Sequence, residues 1–336
     1  MGIQERLAWD VARLEKVVCL LETEHRRFTA DNVITMFHKL TKESSLFTFM
    51  HGVIAQLKQL GKVRTSETYT ATLKSFMDFQ DEQDVPLDGI TSDMMLMYEA
   101  YLKTRELRMN TISFYMRNLR AVYNRAVEKG LTAQQYPFRH VYTGVDKTVK
   151  RAIPIKAIKA LKDLDLATNL TLDFARDMFM FSFYTRGMSF VDMAYLKKTD
   201  LQNGMLTYRR RKTGQELSIK WEKCMAEIIA KYPENKTGFL LPIIKEQGDE
   251  RRQYDNALHL VNYRLKELST MLKLQRPLTM YVARHSWASA AKAKNVPLSV
   301  ISEGMGHDSE TTTQIYLASL ETSVVDKANK MILGLL

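Results

Sequence analysis

Between Ser45 and about residue 129 apolar residues recur every three to four positions, and one short later stretch, 205–221, alternates in twos instead. The first period is that of a helix and the second that of a strand, so the chain is confined to a mainly α fold with a small β-sheet. That mixture argues against a Rossmann or TIM-barrel enzyme. Amphipathic helices are expected near 45–60, 65–83, 91–105 and 109–129, separated by turn signals such as Gly61-Lys62 and Pro86-Leu87-Asp88-Gly89. Four such helices form one bundle. In the fourth, Ile112, Tyr115, Leu119, Val122 and Ala126 build a stripe facing the core, which leaves Arg117, Arg120 and Asn124 on the opposite face. That face suits either solvent or a groove of duplex DNA.

Residues 1–44 read as a charged, partly helical N-terminal arm with no assignment, and 45–141 as the helical domain. The stretch 142–153 contains Lys147, Lys150 and Arg151 and reads as a basic linker at a domain boundary. Pro154 restarts regular structure, and Leu170 to Tyr184 form a nearly all-apolar helix that belongs in a core. In 205–221, Met205 and Thr207 alternate going in and Leu217, Ile219 and Trp221 coming out, a β-hairpin turning at Gly214. Helical signals return from about Leu258, so 154–320 is a second, mainly helical domain, and 321–336 is a C-terminal tail. A chain of 336 residues accommodates two cores.

Lys and Arg number 49 against 38 Asp and Glu, a net charge of +11 that favours polyanionic partners. Cys19 and Cys224 lie far apart, so neither a zinc site nor a disulfide framework is indicated. No apolar run approaches the roughly 20 residues that cross a bilayer, and the N-terminus does not resemble a secretory signal. A soluble, cytoplasmic protein is expected, with no membrane partner.

Three places concentrate reactive side chains. In Thr185-Arg186-Gly187-Met188-Ser189 an arginine directly follows the apolar helix, and it needs either an ion-pair partner such as Asp192 or an anion. Arg209, Arg210, Arg211 and Lys212 are four consecutive cations at the hairpin tip, fit for a phosphate or for a solvated turn. In 278–316, Tyr281 and Arg284 stand three apart on a helix, Gly306-His307 ends another, and Ser309 caps a third, Glu310 to Leu320, that carries Tyr316.

Taken together, Lys212-Thr-Gly, Arg284-His285-Ser, Gly306-His307 and a tyrosine nine residues further on resemble the tyrosine recombinases, or phage integrase family. That family shares an Arg…Lys…His-x-x-Arg…His/Trp…Tyr constellation on a helical catalytic domain, preceded by a four-helix, SAM-like core-binding domain. The resemblance covers roughly residues 45 to 336. It implies Arg186 as the first arginine, Lys212 as the hairpin lysine, Arg284 as the second arginine, His307 at the His/Trp position and Tyr316 as the nucleophile. Tyr281 departs from the pattern, since the family most often has histidine there.

The chemistry fits these assignments. Two arginine forks stabilise the non-bridging oxygens of a phosphodiester, and His307 adds a donor. The Tyr316 phenol attacks phosphorus, and Lys212 protonates the departing 5′ oxygen as general acid. Because the phosphoester survives as a 3′-phosphotyrosyl link, no ATP, metal or other cofactor is expected. The resemblance further implies a specific recombination site on duplex DNA, held between two domains with the basic linker against phosphates. The apolar end of the C-terminal tail either docks on its own domain or, by the resemblance, packs on a neighbouring protomer to join a tetramer on DNA. The resemblance also implies a bacterial mobile-element integrase or invertase, with or without DNA-bending accessory proteins. Two rivals remain: a type IB topoisomerase, and a DNA-binding regulator whose active site has lapsed.

Overall fold

The computed structural model describes residues 3–23, 28–43, 45–146, 151–307, 309–317 and 333–334. The chain divides into two units, Met1–Lys147 and Thr148–Leu336, each with its own apolar core. Among the described residues no helix is long and apolar enough to cross a membrane.

The first unit opens with α1 (Ile3–Thr23) and α2 (Ala30–Glu43), so the unassigned arm carries two regular helices. The bundle follows as α3 (Leu46–Gln59), α4 (Val63–Phe79), α5 (Ser92–Thr104) and α6 (Met109–Glu128). The start of α3 is held from a distance: the Asp84 carboxylate accepts hydrogen bonds from the Ser45 hydroxyl at 2.6 Å and the Phe47 amide at 2.8 Å. A carboxylate there satisfies amides the helix leaves open and suits its dipole. The second helix ends at Phe79 rather than 83, because Asp81 and Glu82 take left-handed φ of 49° and 61° and cannot continue a right-handed turn. On α6, Ile112, Leu119, Val122 and Ala126 are buried as expected and Tyr115 is partly so. Met116 and Tyr123 complete the stripe, while Arg117, Arg120 and Asn124 are exposed on the other side.

The second unit is organised around α8 (Leu170–Tyr184), which packs on α11 (Glu250–Met271) and α12 (Met280–Ala293), with the short α7 (Ile155–Lys162) alongside. Its apolar face buries Met178, Phe179 and Phe181. One side is less apolar than its composition indicates: Asp173 and Asp177 pair with Lys231 at 2.6 and 2.5 Å, and Tyr232 donates to Asp177 at 2.8 Å. These contacts tie α8 to the end of α10 (Lys223–Ala230). Between them run α9 (Phe190–Ala194) and an antiparallel sheet of β1 (Leu201–Gln202), β2 (Met205–Arg209) and β3 (Glu216–Lys220) in the order β1-β2-β3.

The hairpin turns at Gly214 as expected, but its inward phase on β2 is shifted by one residue. Leu206 and Tyr208 are buried, whereas Met205 and Thr207 face outward. Pairing dictates this, because directly opposed residues share a face and the register sets Leu206 opposite Ile219 and Tyr208 opposite Leu217. The last helices, α13 (Leu298–Met305) and α14 (Glu310–Leu317), close a small separate cluster of Ala288, Ile301, Met305 and Leu317. The expected extension of α14 to Leu320 and the tail 321–336 lie outside the described residues, Leu333 and Gly334 apart.

Candidate active site

The turn that ends α8 carries Arg186 and sets its neighbour Gly187 against Arg284 of α12. Arg186 takes φ of 60° and Gly187 φ of 77°, and the Gly187 amide donates back to the Ser182 carbonyl at 2.7 Å. A left-handed arginine is uncommon and persists only where its surroundings enforce it. Gly187 is needed for a second reason: a Cβ there would sit 2.6 Å from the Arg284 Cα. The missing side chain lets α12 approach, and the Gly187 carbonyl accepts from Arg284 Nη1 at 2.9 Å. Gly187→Ala should therefore cost roughly 2–5 kcal/mol, combining a left-handed alanine with an overpacked contact. Thermal melting of the variant beside wild type checks this, and an unchanged midpoint would contradict the geometry.

Arg284 is buried, and both Nη atoms of its fork have protein partners. Besides Gly187, Nη2 donates to the Met305 carbonyl at 2.6 Å and lies 3.0 Å from His307 Nε2. A guanidinium has no lone pair to offer, so His307 Nε2 accepts and the ring proton sits on Nδ1. Nδ1 then donates to the buried Thr313 hydroxyl at 2.7 Å, which lies on α14, one turn before Tyr316. His307 is thus an acceptor here, held in one tautomer by partners on α12 and α14. It becomes a donor toward an anion only by turning from Arg284 or taking up a proton.

The hairpin cations do not act as one exposed group. Arg209 pairs with Glu216 across the strands at 2.9 Å, and Arg211 lies over the Tyr195 ring at 3.8 Å. Arg210 turns inward, is 9% exposed, and donates through Nη1 to the Gly306 carbonyl. Among the described residues Lys212 has no ion-pair partner at the turn, where it stands beside Thr213 and Gly214. Asp192 does not pair with Arg186, as one reading of the sequence had it. Its carboxylate accepts instead from the Ser189 hydroxyl at 2.6 Å and the Arg211 amide at 2.8 Å, so its acceptor sites serve the hairpin and the start of α9.

A cleft of about 740 Å³ is lined by Ser189, Arg210, Lys212, Tyr281, Arg284 and His307, among others. Arg186 is not among its lining side chains. Its Cδ instead approaches α13, 3.7 Å from where a Cβ on Gly304 would stand, and it has no carboxylate partner among the described residues. Arg186 still acts on the same region. Burial and the Asp192 charge push the Tyr208 phenol upward against the opposing charges of Arg210, Arg284 and Arg186. Tyr281 is exposed at the cleft rim, with the Arg151 guanidinium 5.9 Å above its ring and the His285 ring 4.5 Å away, edge-on. Burial, followed by Arg151 and Arg284, holds the His285 imidazole down to about 4, so it is neutral at pH 7. Two of those causes are positive charge, which marks the potential an incoming anion meets.

Tyr316 is placed on α14; its side chain, like Lys147 and Lys150, lies outside the described residues. In the first unit, Arg120 Nη1 lies 3.4 Å from the Thr143 hydroxyl and Arg117 Nε 3.3 Å from the Ser113 carbonyl, while the Asn124 side-chain oxygen accepts from Gln134 at 3.3 Å. These lengths are at the long limit of hydrogen bonding, and all three side chains remain open to a ligand. Sequence reasoning missed Thr313 and the inward turn of Arg210, neither of which leaves a local signal.

A helical bundle is joined to a helical domain whose cleft gathers guanidiniums, a histidine and a hairpin lysine, a lining whose charge suits a phosphodiester. Residues 45–141 match the phage integrase SAM-like domain and residues 157–322 the phage integrase family. The tyrosine recombinase XerC of Leptospira interrogans is 22% identical over 257 residues, covering 76% of this chain and 82% of XerC. The tyrosine recombinase XerD of Halalkalibacterium halodurans is 25% identical over 297 residues, covering 77% and 97%. Among solved structures, a lambda integrase dimer bound to a core site superposes with a TM-score of 0.62 at 15% identity, covering 83% of this chain and 97% of that one. The chain belongs to the phage integrase family, the tyrosine recombinases, enzymes that cleave and rejoin DNA.

Proposed function

We propose that this site-specific recombinase works through a 3′-phosphotyrosine on Tyr316. The Tyr316 phenol gives up its proton to solvent as its oxygen attacks phosphorus, the bond to the 5′ oxygen breaks, and Lys212 gives that oxygen a proton. Rejoining reverses the step: a 5′ hydroxyl attacks the phosphotyrosine and returns its proton to Lys212, and the departing phenolate takes a proton from solvent. Arg186 and Arg284 hold the non-bridging oxygens, with His307 beside them and Tyr281 at the rim able to hydrogen-bond the phosphate. The observation that carries the reading is the cleft that Arg284, His307 and Lys212 line together, with Arg186, which has no carboxylate partner among the described residues, on the turn next to Gly187. Guanidinium forks so placed stabilise developing oxyanion charge, each by about 3–4 kcal/mol when removal of one donor is the measure.

Residues 45–141 serve as the core-binding domain, 142–153 as a basic linker and 154–320 as the catalytic domain. Arg117, Arg120 and Asn124 face the bases or phosphates, and Lys147, Lys150, Arg151, Arg209 and Arg211 add phosphate contacts. The lambda integrase neighbour is a dimer bound to a core site, which supports a DNA partner and assembly on it. The finer reading is a tetramer joined through residues 321–336, acting in the cytoplasm on a mobile element, with DNA-bending accessory proteins.

The test uses a supercoiled plasmid carrying two copies of DNA flanking the gene. Recombinant circles together with a protease-sensitive 3′ protein–DNA link are expected. Relaxation without exchange would instead indicate a topoisomerase, and binding with no adduct a lapsed regulator.

A further inference from the structure

Arg210 is a buried cation with no carboxylate beside it among the described residues. Such a group is costly unless its donors are used and it serves a purpose that an apolar side chain of like volume does not. Its stem fills the space above Gly306, since a Cβ there would meet Arg210 Cδ and Leu217 Cδ1 at 2.9 Å each. Gly306 is the left-handed residue that ends α13, with φ of 64°, and His307 follows it directly. Arg210 Nη1 donates to the Gly306 carbonyl. One guanidinium therefore joins the base of the β2–β3 hairpin to the turn that presents His307.

The hairpin has a second anchor. The Arg211 amide donates to the buried Asp192 carboxylate at 2.8 Å, and Asp192 begins only five residues beyond the Gly187 that Arg284 grips. The strand ladder ends at Arg209 opposite Glu216, and the Arg210 amide closes the turn on the Gln215 carbonyl at 2.8 Å. The Gly214 amide also donates to the Arg210 carbonyl at 2.8 Å, so Lys212 and Thr213 project from an anchored turn. A chain of contacts thus runs from Lys212 through Arg210 and Gly306 to His307 and Arg284.

We infer that Arg210 is a positioning residue: by holding the hairpin base to the Gly306 carbonyl, it sets where the Lys212 ammonium stands relative to the phosphate clamp. Its Nη1 is engaged by the Gly306 carbonyl, so its part is to hold the hairpin rather than to grip the scissile phosphate. The inference rests on the general-acid reading of Lys212, and the test separates the two.

The full-length protein, Lys212→Ala, Arg210→Met and Arg210→Gln are compared on a nicked suicide duplex whose leaving atom is either the natural 5′ oxygen or sulfur. Sulfur leaves without a proton and so bypasses the general acid. Arg210→Met keeps the packed stem and removes the charge, so its melting midpoint is expected to equal or exceed that of wild type. On the oxygen substrate it should cleave about 10²-fold more slowly, the lower range for a lost general acid. On the sulfur substrate it should return to within a few-fold of wild type, as Lys212→Ala does. Arg210→Gln retains a donor for Gly306 and should lose less. If Lys212→Ala recovers with sulfur while Arg210→Met stays equally slow on both, the positioning role is wrong and Arg210 acts on the phosphate or the fold. If Lys212→Ala itself does not recover, the general-acid reading fails, and the role of Arg210 with it.

Discussion

Tyr316→Phe is expected to bind its DNA site within about twofold of wild type and to form no covalent adduct on a suicide substrate. The substitution removes one oxygen and keeps the ring. Phenylalanine and tyrosine have nearly equal helix propensity, so α14 should be undisturbed. Binding rests on many phosphate contacts and is insensitive to one phenol. Cleavage has no substitute for the lost nucleophile, and rates should fall by at least about 10⁴-fold, as when other enzymes lose theirs. Denaturing gel electrophoresis of labelled DNA reads the adduct directly. Adduct persisting in the variant would transfer the nucleophile to another residue and end the assignment.

The second large effect is at Arg284. Arg284→Lys keeps the charge but cannot serve the Gly187 carbonyl, the Met305 carbonyl and His307 Nε2 together, because a point ammonium lacks the planar fork. Each buried carbonyl left unserved costs about 1–3 kcal/mol. His307 would lose the donor that fixes its tautomer, and the phosphate would lose a fork. Single-turnover cleavage should therefore fall by about 10²–10³-fold, with DNA affinity changed only a few-fold. A loss of affinity that matched the loss in rate would recast Arg284 as a binding residue with no preference for the transition state.

Much of the fold was legible because it is written in short-range repeats. The four bundle helices follow from apolar spacing. Helix α8 follows from the nearly unbroken apolar run Leu170 to Tyr184, and the structure bounds it with a capping Asn169 and a left-handed Arg186. Errors arose where a tertiary partner decides. The β2 phase depends on which residue of β3 lies opposite, and Thr207 faces outward because it meets Ser218, their hydroxyl oxygens 2.8 Å apart. At the site, the ion pair read between Arg186 and Asp192 is absent because Asp192 meets the Arg211 amide, nineteen residues on.

What the residues determine by themselves is the inventory and its local setting: arginine after a core helix, lysine on a glycine hairpin, histidine after a glycine stop, tyrosine on the next helix. Those are properties of neighbours in sequence, carried by periodicity, capping and backbone freedom. Which of these side chains touch is decided only by folding. Arg284 reaches Gly187 across 97 positions and Arg210 reaches Gly306 across 96. No local preference encodes contacts of that range; they exist because burying α8, α12 and the hairpin in one core brings distant backbone carbonyls within reach of two guanidiniums.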